Sequence, residues 1–217
     1  MKIVTPFLIG SILLTLVACQ KEQSVDTLNG APGAGGTTGG GTGSGSGSEK
    51  GTWKVLSMRG ITSSIVEYTL SGDNIKSVTL SDYTTENNGG TITLDGSTMT
   101  GTGVTYSVDD SYIGYFYTNG VLDDSLEVPL DYSIPPTNST ASYKKVKSDS
   151  IYVQAGAFTM VGSSGTTPSA AGGYKLAWNG DKMTMTAVFD DSKIQFTQGI
   201  SMRMTQHAVQ IVTLQKQ

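Results

Sequence analysis

Residues able to carry reaction chemistry are few in this chain and poorly grouped. It has one cysteine, Cys19, and one histidine, His207, so thiol catalysis, Cys/His zinc sites and disulfide frameworks are excluded downstream of residue 19. His207 stands between Gln206 and Ala208 in a strand-like stretch. No serine and carboxylate are spaced so as to complete a nucleophile–base–acid set with it, and a strand or surface histidine is expected. Three triplets, Asp109-Asp110-Ser111, Asp123-Asp124-Ser125 and Asp190-Asp191-Ser192, offer the paired carboxylates of glycoside hydrolysis or oxygens for a hard cation. No Asp-x-Asp-x-Asp-Gly loop follows any of them, and Asp and Ser there fit turn and strand-edge hydrogen bonding. They read as turn punctuation, with no metal site, no catalytic residue and no enzyme activity expected. Asn138-Ser139-Thr140 matches a glycosylation acceptor in form only.

The elements that would position such residues begin with a chain of two unequal parts. Net charge is −4 with 15% charged residues, and the basic residues are scattered, so the electrostatic footprint of a nucleic-acid binder is missing. Lys2 opens a short positive region, and Ile3 to Val17 form an apolar run that ends at Cys19 and the polar Gln20-Lys21-Glu22-Gln23. A spanning helix needs roughly 20 apolar residues, so the run is too short to cross a bilayer and reads as a signal-peptide core, assigning residues 1–18 to a cleaved signal.

At the end of that run, Leu16-Val17-Ala18-Cys19 resembles the lipobox of bacterial lipoproteins at all four positions. The resemblance implies a diacylglyceryl group and an N-acyl chain on Cys19, a covalent lipid anchor with no other cofactor. At ~0.8 kcal/mol per buried CH₂, several acyl chains hold a protein on a membrane almost irreversibly. Gln20, rather than Asp, follows the cysteine, which favours the outer membrane within that class. Gln20-Lys21-Glu22 resembles the start of a surface-export tag, and both the periplasmic face and the cell surface stay open. From Gly30 to Ser48 the chain is Gly, Ser, Thr and Ala with one Pro, too apolar-poor to offset the entropy of ordering. Residues 19–49 are thus a lipidated tether, with a mean reach of ~30 Å for about thirty Gly-rich residues.

Residues 50–217 form the one folding domain. Their pattern is alternation, rich in Thr, Val, Ile and Tyr, with turn signals every eight to twelve residues, and roughly ten antiparallel strands are expected. Asn119-Gly120 and Asn179-Gly180 carry the residues that type I′ hairpins need. Met183, Met185, Ala187 and Phe189 share one strand face, and Ile194/Phe196, Met202/Met204 and Val209/Ile211 extend a meander to the C-terminus. Val128 to Ser142, with Pro129, Pro135 and Pro136, reads as an irregular insertion. The expected fold is all-β, an antiparallel meander closing into a barrel, with a β-sandwich as the alternative.

Gly51-Thr52-Trp53 at the domain start is similar to the Gly-x-Trp signature of lipocalin-like proteins, and Tyr174 to Thr186 resembles a hairpin common in their bacterial members. The resemblance implies a tryptophan plugging the closed end of the barrel, with a basic residue late in the chain stacked over it. Arg203 is the candidate, with Gly51 and Trp53 as the other signature residues. Tyr115 and Tyr117, together with Met183, Met185, Phe189, Met202 and Met204, are candidates for lining an apolar pocket. Two functions follow as expectations. One is a monomeric, membrane-anchored carrier of a small hydrophobic or amphipathic ligand. The other is a non-enzymatic envelope module with a filled β core that meets protein or glycan through its loops. The interior separates them, since a carrier needs a cavity of several hundred Å³ whereas a module is packed to native density.

Overall fold

The computed structural model of the chain describes residues 47–162 and 165–217. The signal segment, the lipobox-like residues with Cys19 and most of the tether lie outside the described residues. Strands β1 (Gly51–Leu70), β2 (Asp73–Thr84), β3 (Glu86–Leu94), β4 (Thr98–Thr118), β5 (Val121–Lys147) and β6 (Ser150–Val153) come first in chain order. They are followed by β7 (Thr159–Gly162), β8 (Gly165–Pro168), β9 (Gly172–Asn179), β10 (Lys182–Thr197) and β11 (Ile200–Lys216). The domain is all-β. Nine strands form one antiparallel sheet in the order β11-β10-β9-β6-β5-β4-β2-β1-β3, and β11 also pairs with β1 and β4 with β3, so the strands ring round. That ring is common ground for a barrel and for a sandwich whose two faces share strands.

Short turns set the register. Ser71-Gly72, Asn119-Gly120 and Gln198-Gly199 each hold two consecutive positive φ angles, the type I′ geometry whose twist matches the flanking strands. The hairpin expected at Asn179-Gly180 turns one residue later. Asn179 pairs with Lys182, and of the two loop residues only Gly180 has positive φ.

Two sequence expectations are corrected. None of the Asp-Asp-Ser triplets is a turn, since Asp109-Asp110-Ser111 lies within β4, Asp123-Asp124-Ser125 within β5 and Asp190-Asp191-Ser192 within β10. The ladders run on to the type I′ turns, and two of the triplets satisfy themselves locally, Ser111 N–H donating to Asp110 Oδ1 and Ser125 N–H to Asp124 Oδ1 at 2.8 Å each. Nor is Val128 to Ser142 an irregular insertion, because it pairs with β4 through most of its length. Three prolines are tolerated there because, among the described residues, no strand pairs with the other side of Val128 to Ala141; Gln154 N–H donates to Ser142 O (2.9 Å) and β6 joins β5 from Tyr143 onward.

The core gathers inward side chains from every side of the ring, among them Ile92, Met99, Val108, Ile151, Met183 and Val212, each at most 1% exposed. Residues 157–161 turn into this interior. Phe158 packs on the Tyr174 ring at 6.1 Å and Tyr174 on Phe189 at 6.5 Å, while Ala157, Phe158 and Val161 are all buried. Polar groups of the wall receive this segment. Tyr106 donates its hydroxyl to Thr159 O (2.9 Å), Ser139 donates to Ala157 O (3.0 Å), and Val161 N–H donates to the Tyr83 hydroxyl (3.1 Å). Burial pushes the Tyr83 and Tyr106 phenols above their ordinary range, so both stay neutral donors and acceptors.

Candidate interaction surface

The strands are long for a domain of this size, and the molecule divides along them. Below about residue 60 of β1, inward residues meet the packed core; above it, β1, β2, β4, β5, β10 and β11 continue as a six-stranded overhang in the order β10-β11-β1-β2-β4-β5. Neither β9 nor β6 reaches it, because β9 leaves β10 at Ala187 and β6 meets β5 only at Tyr143 and beyond. At about 3.3 Å per residue, ten residues of β1 carry the sheet roughly 33 Å past the body.

The opposite end, where the tether enters, is closed. Trp53 is 2% exposed and donates its indole N–H to Glu49 O at 2.8 Å. Glu49 is buried against the ammonium of Lys145. Burial opposes its charge, but the Lys145 hydrogen bond and charge outweigh it and hold the carboxyl below the usual carboxylate range. Gly47 lies on the Trp178 ring, where a Cβ would come within 2.3 Å of Cδ1. The cation over the Trp53 ring is Lys216, with Nζ 5.8 Å from the centroid, and not Arg203. Lys216 pairs with Trp53 in the β1–β11 register, whereas Arg203 is exposed in the overhang, between Glu67 on β1 and Ile194 on β10. Gly51 sits at φ 131°, a conformation that favours glycine, where β1 begins against Leu94.

Strand alternation assigns the remaining sequence candidates. Met183 and Met185 are fully buried in the core, and Phe189 packs at its upper edge on Tyr174. Met202 and Met204 are buried on the inner face of the overhang, opposite Tyr68 and Val66. Tyr115 and Tyr117 pair with Val78 and Lys76, one residue out of phase with the inward Tyr83 and Ser81, and so occupy the outer face, away from any interior. Next to the residues 159–160, Met58, Tyr83, Tyr106 and Gln210 bound a cavity of about 10 Å³, the size of one water. The Gln210 Nε2 has no protein partner there, and its Oε1 accepts the Tyr174 hydroxyl at 2.7 Å.

No protein-family profile, curated protein or solved structure matches the chain.

The register brings together one set that spacing could not reveal. Ser63, His207 and Asp190 form a single row across β1, β11 and β10 on the outer face, with His207 Nδ1 2.6 Å from Asp190 Oδ1. The imidazole and the carboxylate are each about half exposed, and the flanking backbone N–H groups lie in the plane of the ladder. The row therefore lacks converging oxyanion donors. What the overhang does offer is apolar area. Val121 (67%), Leu126 (50%), Ile194 (66%) and Phe196 (75%) are exposed. The β4–β5 arm from 109 to 129 adds Asp109, Asp110, Asp123, Asp124 and Glu127 with no Lys or Arg. Its tip is tied to that of β1–β2, with Asn119 N–H donating to Asn74 O (2.8 Å) and Asn119 Nδ2 to Asp73 Oδ1 (2.8 Å). Exposed apolar side chains on an ordered, rimmed surface mark interaction sites. Sequence reasoning missed this surface because alternation looks the same whether or not a second layer covers it.

Proposed function

We propose that this chain is a non-enzymatic, membrane-tethered interaction module that meets a macromolecular partner through its overhanging hairpins. The observation that carries the reading is the occupied interior: residues 157–161 fill the space a carrier would keep for its ligand, while large apolar side chains stand exposed at the far end. The lipobox resemblance at Leu16-Val17-Ala18-Cys19 supports a lipid anchor at the cell envelope. The closed Trp53 end is the end that joins the tether, and the hairpin tips lie at the other end of the strands. The acidic β4–β5 arm suits a partner that presents apolar and basic groups.

The test pairs solvent extraction and mass spectrometry of the purified chain with a photo-crosslinking residue at Leu126 in cells. No stoichiometric apolar compound and a discrete macromolecular adduct are expected. A stoichiometric apolar compound held by the chain would overturn the reading in favour of a carrier. Cys19→Ala should move the protein from the membrane to the soluble fraction, and retention in the membrane would refute the anchor.

A further inference from the structure

The overhang has two open edges, and they are built differently. The β5 edge of the overhang, from Val121 to Leu130, carries Pro129 with Asp123, Asp124 and Glu127. Prolines and like charges blunt an edge against pairing. The β10 edge, from Val188 to Phe196, begins where β9 stops and has no strand beside it among the described residues. It has no proline, and it carries Ile194 and Phe196, the latter the most exposed of the large apolar side chains.

Its backbone is ready to pair. The two-residue turn at Gln198-Gly199 makes Thr197 and Ile200 a hydrogen-bonded pair. By alternation, residues 188, 190, 192, 194 and 196 then direct their N–H and C=O groups outward. We propose that this edge pairs antiparallel with the same edge of a second copy of the chain, about a two-fold axis at Ser192. That register sets Asp191 across from Lys193 of the second copy and Lys193 across from its Asp191. It also places Val188 against Phe196 on the outer face. Shifting the axis by one residue opposes Asp191 to Asp191 or Lys193 to Lys193, so the charges select both the register and the partner. Such a pair carries its two tethers at opposite ends. The inference concerns the β10 edge alone, and its failure would leave the proposed contact of the acidic β4–β5 arm with a macromolecular partner untouched.

The test is cysteine crosslinking of the full chain in its cells. Residues in a hydrogen-bonded antiparallel pair lie ~5.5 Å apart at Cα, within disulfide range. Ser192→Cys should therefore give a covalent dimer on oxidation. Ser125→Cys on the guarded edge and the parent chain should not. Adding Lys193→Asp should cut the dimer by at least about tenfold by opposing like charges, and adding Asp191→Lys to that variant should restore it. No dimer at residue 192, a dimer indifferent to the charge changes, or a crosslink only to a different protein would each overturn the proposal.

Discussion

The body and the overhang are made from the same strands, yet they differ in what covers them. In the body, inward residues such as Met183, Met185 and Val212 share one core with Ala157, Phe158 and Val161 and are essentially inaccessible. In the overhang the inner face is covered at Met202 and Met204 but leaves Val66 and Ile75 only partly buried, and cross-strand polar contacts such as Thr62–Ser81 (2.8 Å) and Arg59–Asp82 (2.6 Å) hold the sheet. Alternation makes a strand; a second layer makes a core. The first region is therefore read as stability and the second as surface.

Substitutions should separate the two regions by the size of their effects. Trp53→Ala removes the plug of the closed end and should destabilise by ~3–5 kcal/mol, and an unchanged thermal melt would show that the Trp53 end is not a packed core. Lys145→Ala strands a buried carboxylate and should cost about 1–3 kcal/mol near neutral pH. Glu49 has a folded pKa below its unfolded value, so its contribution is present above the unfolded carboxylate pKa and is lost as pH falls through the folded one. Denaturant titrations at stepwise lower pH should accordingly bring the parent and Lys145→Ala together; a gap that persists in acid would assign the loss to packing. Tyr174→Phe deletes the hydroxyl donated to Gln210 and should cost about 1 kcal/mol, read from the denaturation midpoint. Phe196→Ser, in the overhang, should change stability by no more than ~0.5 kcal/mol while weakening crosslinking at residue 192. A large loss of stability there would mean that the overhang is covered and would erase the contrast.

Local chemistry made much of this legible. Asn119-Gly120 announced its hairpin because both turn positions need positive φ, and the resemblance carried by Gly51-Thr52-Trp53 implied a buried indole beside the tether. The Asp-Asp-Ser triplets misled because Asp and Ser serve turns and exposed strand faces alike, and only the ladder tells them apart. Arg203 misled for a related reason. A late basic residue was expected over Trp53, but the register of β1 on β11 set Lys216 there and left Arg203 twelve pairs or more up the sheet.

The amino-acid sequence by itself determined the strand class, the Asn119-Gly120 turn and the apolar face of β10 from Met183 to Phe189, because these depend on backbone preference and a two-residue period. Tertiary structure alone decided which faces are covered, that residues 157–161 enter the ring, which cation meets Trp53, and which of two open edges is unguarded. Those outcomes depend on pairing between strands far apart in the chain, and nothing in local spacing encodes which strand ends first.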